Sequence, residues 1–297
     1  MTLIDLTVMF PSDERCRELL ERLRWPDGPA CPRCQDMTPA RLATNAKILY
    51  CRKCDYQFSV TTGTIFHDSH LALIKWFTVV LLMCEAKKGI SAMQIKRTVG
   101  MGYKTAWYLC HRIRKAMSMT ARAPLDGTIE MDETYVGGRN IGKGWLATTD
   151  NKEVVVGIRQ RGGELRFFHA EDAKSGTLAQ YIRENISEDV EVVMTDESMS
   201  YPKAMATTGN AKKHKTIKHK NHVYVNGNIH TNTVESAFSL LKRGIVGSWH
   251  KVSAKHLAAY LEEMSFRFNR RDRKDLFIDT LRHMVTADPL TFDDLTA

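Results

Sequence analysis

The chain lacks any long apolar segment. The nearest candidate, residues 71–83, contains Lys75 and is shorter than the roughly 18 residues at which an apolar run becomes a candidate membrane helix. The first ten residues include Asp5 and no basic leader, so they make a poor secretory signal peptide. We therefore expect a cytoplasmic protein that has no membrane partner.

Internal repeats and low-complexity linkers are also absent from the sequence. Hydrophobic residues make up 43% of the 297 positions, which is enough for packed cores and argues against global disorder. A chain of this length is too long for one small domain. We expect two or three folded domains in direct succession.

Acidic residues are scarcer than basic ones. The sequence has 34 aspartates and glutamates and 43 lysines and arginines, which gives a net charge of +9 and a pI of about 9.2. Such a balance favours a polyanionic partner, most commonly DNA or RNA. The basic residues concentrate in one cluster at residues 212–220 and in a second formed by Lys242, Arg243, Arg267 and residues 270–274. Either cluster alone could equally be a solvated surface.

Four of the seven cysteines form two tight pairs with 16 residues between the pairs. The pairs are Cys31 with Cys34 and Cys51 with Cys54. Each CxxC turn can aim two sulfurs at one point, and this spacing matches a four-thiolate structural zinc site. Two disulfides are the alternative, which the lack of a signal peptide disfavours. The remaining cysteines are predicted to be buried thiols, and they are Cys16, Cys84 and Cys110.

Four regions follow one another along the sequence. We predict a helical segment at residues 1–25, a zinc ribbon at 26–62, a helical domain at 63–122 and an alternating strand and helix domain at 123–297. Zinc ribbons occur mostly in proteins that act on nucleic acids, so the second region already indicates a function with DNA or RNA.

The helical domain has the pattern of a helix-turn-helix. A short helix at residues 91–99, capped by Ser91, is followed by a glycine-containing turn and a longer basic helix at residues 103–117. In that motif the start of the second helix enters the major groove of DNA. A plain helical hairpin is the alternative. The side chains that we expect near DNA are Tyr103, Lys104, Thr105 and Arg112.

The last region begins with three predicted strands, at residues 128–136, 153–159 and 163–169. A helix at 175–186, a strand at 190–195, a basic strand at 216–219 and further helices follow. Three strands, a helix, a strand and then helices is the order of an RNase-H-like α/β fold.

Three acids are placed so that they can converge in such a fold. Asp132 lies in the first strand, Asp196 follows the fourth strand, and Glu235 lies in the first turn of a helix. Three convergent carboxylates can hold two divalent cations for phosphoryl transfer, and Mg²⁺ suits their oxygen ligands. Taken singly, the residues could instead be a strand-end acid, a helix N-cap and an acid favoured by the helix dipole.

The chain resembles the zinc-ribbon DDE transposases of bacterial insertion sequences, a group related to the eukaryotic Merlin elements. The resemblance covers roughly residues 15–280. It is carried by the two CxxC pairs and by the segments 131–138 (MDETYVGG), 195–197 (TDE), 230–244 (HTNTVESAFSLLKRG), 247–250 (GSWH) and 260–269 (YLEEMSFRFN).

The resemblance implies an RNase-H-like enzyme that cuts and rejoins transposon ends with Mg²⁺ or Mn²⁺ and carries a structural Zn²⁺. Asp132 and Asp196 match its first two acids. Members place either Glu or Asn third, so Glu235 and Asn232 both qualify. We favour Glu235, because Lys242 lies two helical turns later on the same face and can contact DNA near the cut. Arg243 beside it is a further expected DNA contact.

Three functions remain open at this point. A transposase would bind terminal inverted repeats, cleave them and join 3′-hydroxyls to target DNA, working as a homodimer or larger assembly in association with a bacterial nucleoid. A regulator would bind DNA without cutting it. A structure-specific nuclease would use the same fold and metals to cut without joining.

Overall fold

The computed structural model describes residues 1–118, 122–137, 152–217 and 230–297. The chain divides into two compact units, one of Met1–Ser118 with Arg270–Ala297 and one of Met119–Asn269. The division near residue 118 lies close to the predicted domain boundary at 122. Residues 270–297 differ from the prediction, because they pack with the first unit rather than with the strand and helix region.

The first unit opens with two capped helices, α1 (Leu3–Met9) and α2 (Asp13–Arg24). A small antiparallel sheet follows, made of β1 (Ala40–Leu42), β2 (Asn45–Cys51) and β3 (Tyr56–Phe58) in the order β1-β2-β3. This sheet is too small to bury a large core, so the cysteines themselves contribute to a cluster with Leu49 and Phe58. Its stability therefore depends on what the cysteines bind.

Helices form the rest of the first unit. They are α3 (Leu73–Glu85), α4 (Ala92–Val99), α5 (Tyr103–Met117), α10 (Leu276–Thr286) and α11 (Phe292–Thr296). Contacts from α10 reach α2, α3 and α5. Rings from three separate segments meet in this core, with Phe77 5.0 Å from Phe10 and 5.7 Å from Phe277 between centroids. Aromatic burial of this kind contributes strongly to stability, so α10 is integral to the unit.

The second unit is built on one five-stranded sheet. Its strands are β4 (Thr128–Val136), β5 (Glu153–Gln160), β6 (Leu165–Ala170), β7 (Val192–Thr195) and β8 (His214–Thr216). The order across the sheet is β6-β5-β4-β7-β8, antiparallel between the first three strands and parallel from β4 to β8. The basic strand predicted at 216–219 corresponds to β8, which begins two residues earlier, at His214. The part of that prediction from Lys218 onward falls outside the described residues.

Helices cover both faces of this sheet. On one face, α6 (Ser175–Asn185) and α7 (Ser200–Thr207) pack on Ile129 and Met131 of β4. On the other face lie α8 (Asn232–Gly244), a π-helical turn at Ile245–Trp249 and α9 (Ala254–Asn269). Because side chains alternate along a strand, Glu130 and Asp132 of β4 lie on the face that α8 covers.

A glycine in β5 brings α8 close to the sheet. A Cβ atom added at Gly157 would lie 2.7 Å from Phe238 and 2.9 Å from Val234, both on α8. Gly157 is the register partner of Asp132. Any larger residue there would displace α8, so this glycine sets how near the helix comes to the acid on β4.

Within the described residues, no helix is both long and apolar enough to cross a bilayer.

Candidate active site and zinc site

The four predicted zinc ligands come together in the first unit. The sulfur atoms of Cys31, Cys34, Cys51 and Cys54 all lie within 4.8 Å of one another, and none forms a disulfide. The Cys31–Cys54 and Cys34–Cys51 sulfurs are 3.6 and 3.5 Å apart. A tetrahedral ion with Zn–S bonds of about 2.3 Å needs sulfurs about 3.8 Å apart. The geometry therefore fits zinc and excludes the disulfide alternative.

The electrostatics of this cluster also call for a cation. Burial raises the pKa of the Cys31 thiol, but backbone N–H groups of Cys34 and Arg33 more than offset it and lower this pKa to about 7. Burial and the neighbouring thiols raise the pKa of Cys54 to about 12. A thiolate at Cys31 thus opposes the ionisation of Cys54. Four thiolates together require a bound metal to neutralise them.

Carboxylates form a second cluster in the second unit, between the middle of β4 and the end of β7. The sequence correctly predicted that β4 and β7 are neighbours, and their parallel pairing ends at Glu130 opposite Met194. Asp132 lies two residues beyond this pair on β4, and Asp196 lies two residues beyond it on β7. Oxygen atoms of Asp132, Glu133 and Asp196 lie within 4.8 Å of one another.

Like charges and burial alter the acid–base behaviour of this cluster. Burial, then the charges of Glu133, Asp196 and Glu235, raise the pKa of Asp132 to about 7. Burial also raises the pKa of Glu133, whose Oε2 accepts a 2.5 Å hydrogen bond from the buried Tyr201 hydroxyl. A bound divalent cation would offset the repulsion between these carboxylates and favour their ionised form. Their all-oxygen donor set fits Mg²⁺ or Mn²⁺.

Glu133 is a member of this cluster that the sequence interpretation did not assign. Alternation along β4 places its side chain on the opposite face from Asp132, which argues against a shared site. The two acids meet Asp196 nonetheless, because β7 ends at Thr195 and Asp196 follows it, beyond the residues that pair with β4. Its position next to Asp132 was the only available sequence signal.

Glu235, the favoured third acid, lies near this cluster on α8. It is half-buried, and its charge contributes to the raised pKa of Asp132. Its Oε1 accepts a 2.7 Å hydrogen bond from the Thr231 hydroxyl. The group of three carboxylates with the closest oxygens contains Glu133 rather than Glu235. The alternative residue Asn232 is exposed as the first residue of α8.

The predicted DNA contacts divide into exposed and buried residues. Lys242 and Arg243 are exposed near the end of α8. In the first unit, α4 is capped by Ser91 and ends at Gly100 with a φ of 66°, and α5 then begins with exposed side chains. These exposed side chains are Tyr103, Lys104 and Thr105.

Arg112 does not fit its prediction as a DNA contact, because it is only 4% exposed. Its guanidinium lies over the rings of Trp76 and Tyr108, 5.0 and 5.3 Å from their centroids. It also donates a hydrogen bond to the His67 carbonyl. This arginine therefore packs within the first unit.

Part of the second basic cluster is likewise occupied within the protein. Arg267 is 5% exposed and donates to Glu263 on the same helix. Arg270 pairs with Asp279 at 2.9 Å. These two arginines serve internal ion pairs, which leaves less positive charge for a partner than the sequence indicated.

Comparison with known proteins gives matches over both units. Residues 124–269 match the model of the ISXO2-like transposase domain, and residues 11–57 match that of the transposase zinc-ribbon domain. An uncharacterized protein in transposable element ISH50 of Halobacterium salinarum is 29% identical over 278 residues, covering 87% of this chain and 91% of that protein. The chain therefore carries a transposase zinc-ribbon domain followed by an ISXO2-like transposase domain, as its sequence motifs indicate.

Proposed function

We propose that this transposase catalyses metal-dependent cleavage of DNA at transposon ends and joins the freed 3′-hydroxyls to target DNA. The convergence of Asp132, in the middle of β4, and Asp196, directly after the adjacent parallel strand β7, carries this proposal. The strand order β6-β5-β4-β7-β8 is the order of an RNase-H-like sheet, in which acids at these two positions serve phosphoryl transfer.

Asp132, Asp196 and Glu235 would hold Mg²⁺ or Mn²⁺, with Glu133 at their side. Divalent cations in such a site supply an activated hydroxyl nucleophile and stabilise the leaving oxygen. Asp132 lies on β4, Asp196 follows β7, which pairs with β4, and Glu235 lies on α8, which packs on the same sheet; this arrangement supports the proposal. Lys242, exposed on the same helix as Glu235, would hold a DNA phosphate beside the cut.

Sequence-dependent binding would come from the first unit. The exposed start of α5, at Tyr103, Lys104 and Thr105, is the surface that a helix-turn-helix inserts into the major groove. The zinc ribbon and the net charge of +9 support contacts to phosphates along the terminal repeats. Two ends must be cut and inserted together, so we propose a homodimer or larger assembly at synapsis.

A strand-transfer assay tests the proposal. Purified protein, labelled DNA from the ends flanking its gene, a target plasmid and Mg²⁺ or Mn²⁺ should give a joined product. Asp132→Ala should give none while still binding the end DNA. Cleavage without joining by the wild type would indicate a nuclease instead. Specific binding without either reaction would indicate a regulator.

A further inference from the structure

Glu130 is a fully buried acid two residues before Asp132 on the same strand. Charged side chains are rarely buried completely unless donors surround them, so its partners are informative. Its carboxylate meets groups from three other segments of the second unit. Since alternation puts Glu130 and Asp132 on one face of the sheet, whatever fixes Glu130 is adjacent to the proposed metal site.

One oxygen of Glu130 caps the helix that carries Glu235. Oε2 accepts hydrogen bonds from the backbone N–H of Thr233 at 2.9 Å, from its hydroxyl at 2.8 Å and from the N–H of Val234 at 3.1 Å. Thr231 stands at the N-cap of α8 but makes no capping hydrogen bond there, and its hydroxyl donates to Glu235. A strand residue 103 positions away thus satisfies donors that a local side chain normally caps.

The other oxygen of Glu130 connects to Arg161, directly after β5. Oε1 lies 2.6 Å from Arg161 Nε and 3.3 Å from His230 Nδ1. Arg161 also donates through Nη2 to the His230 carbonyl at 2.9 Å and contacts the sulfur of Met194 at 3.2 Å. Met194 lies two residues before Asp196 on β7.

We propose that Glu130 and Arg161 are positioning residues that hold β4, β7 and α8 in the one arrangement that makes the metal site. The contacts fall two residues before Asp132, two residues before Asp196, and within two residues of Glu235. Both oxygens of Glu130 are occupied by donors of this chain, so Glu130 acts through these three acids rather than as a ligand. This inference rests on the proposed function.

A buried cap of this kind places the acids before any metal arrives. A site whose ligands are already held binds a cation without the cost of ordering them, and loss of such supporting contacts typically weakens metal affinity about 10- to 100-fold. The carboxylate is also stabilised by the dipole at the start of α8. A glutamine in its place keeps one acceptor oxygen but presents an NH₂ donor where the second oxygen accepted, and it loses the charge interaction.

The test is a titration of the full-length, zinc-loaded protein with Mn²⁺ alone, read from the electron paramagnetic resonance signal of free Mn²⁺. Glu130→Gln should weaken Mn²⁺ binding about 10- to 100-fold. Thr233→Val, which removes one hydroxyl donor and nearly preserves shape, should weaken it by a smaller factor in the same direction. This variant keeps the test decisive if Glu130→Gln does not fold.

Glu263→Gln is the matched control, because Glu263 is an equally buried acid paired with an arginine, on α9 and outside these contacts. It should lower the thermal midpoint and leave Mn²⁺ affinity unchanged. Wild-type affinity in both Glu130→Gln and Thr233→Val, or an equal loss in Glu263→Gln, would overturn the positioning role. If Asp132→Ala still binds Mn²⁺ like the wild type, the proposed function fails instead.

Discussion

The protein builds two ligand clusters in opposite ways. The cysteine cluster comes from two turns close together in the sequence, in a sheet with little core of its own. The acidic cluster comes from separate strands, backed by helices on both faces of a larger sheet. We therefore expect the ribbon to need bound metal in order to fold. At the acidic cluster, by contrast, we expect the fold to bring the ligands together before a metal binds.

The largest effect should follow from breaking the cysteine cluster. Cys51→Ser should abolish zinc binding and unfold the ribbon, because zinc contributes about 10–16 kcal/mol of apparent binding free energy in small zinc-dependent folds. Zinc content and hydrogen exchange at residues 26–62 measure this, and exchange in the second unit should not change. Cys16→Ser, at a buried thiol outside the cluster, should keep its zinc. Full zinc content in Cys51→Ser would refute the four-thiolate site.

A loss of catalysis without a loss of fold should follow at the acidic cluster. We expect Glu235→Gln to lower strand cleavage about 100-fold or more, equivalent to about 3 kcal/mol of transition-state stabilisation. Glu133→Gln should cost only about tenfold, because the Tyr201 hydroxyl already occupies one of its oxygens. Single-turnover cleavage of a labelled end measures both variants. The reverse ranking would assign the third ligand position to Glu133.

The pH dependence of stability should expose the repulsion within the acidic cluster. The pKa of Asp132 is raised to about 7 in the folded protein, against about 3.9 when unfolded. Between these values the folded state binds more protons, so stability without added Mg²⁺ should fall as pH rises from about 4 to 7, by on the order of 1–3 kcal/mol.

Hydrogen exchange of β4 amides across this pH range isolates the second unit. Asp132→Asn, which stays neutral, should reduce the dependence to the part due to Glu133, whose pKa is also raised. Saturating Mg²⁺ should suppress the dependence in the wild type. A wild-type stability that rises with pH in the absence of Mg²⁺ would contradict the assignment of repulsion to Asp132.

The smallest effect should come from the surface of α5. Lys104→Ala should weaken DNA binding about tenfold or less and reduce the slope of log affinity against log salt by about 1, as expected for one phosphate contact. Arg112→Ala on the same helix should instead lower the thermal midpoint, because it removes a buried side chain packed on two rings. Fluorescence anisotropy at several salt concentrations separates the two. An unchanged salt slope in Lys104→Ala would remove it from the interface.

The convergence of the four cysteines could be predicted from the sequence because it depends on two local turns. Two CxxC turns identify four candidate ligands without any knowledge of how the rest of the chain folds. Asp132 and Asp196 were predictable from strand patterns, since both follow buried strand residues and the strand order makes those strands neighbours. These predictions needed only the sequence period and the topology.

The remaining features depend on tertiary contacts that leave no local signal. Glu130 looks like any strand acid until α8 folds over it. Alternation places Glu133 on the opposite face of β4 from Asp132, so the sequence pattern does not group these two acids. Arg112 was predicted as a DNA contact from its place in the second helix of a helix-turn-helix pattern, whereas Trp76 and Tyr108 provide an aromatic site that buries it. Each depends on a side chain from a distant segment.

The return of residues 270–297 to the first unit has a consequence for synthesis. The second unit, Met119–Asn269, is complete in sequence before the ribosome has made α10. The first unit, although begun earlier, must wait for α10 to cover α2, α3 and α5. The usual amino-to-carboxyl order of cotranslational folding is thereby reversed. A chain that stops early at residue 269 would keep the whole second unit and lose the helix that covers the core of the first. Whatever the first unit binds, it can do so as a complete fold only after α10 has been made.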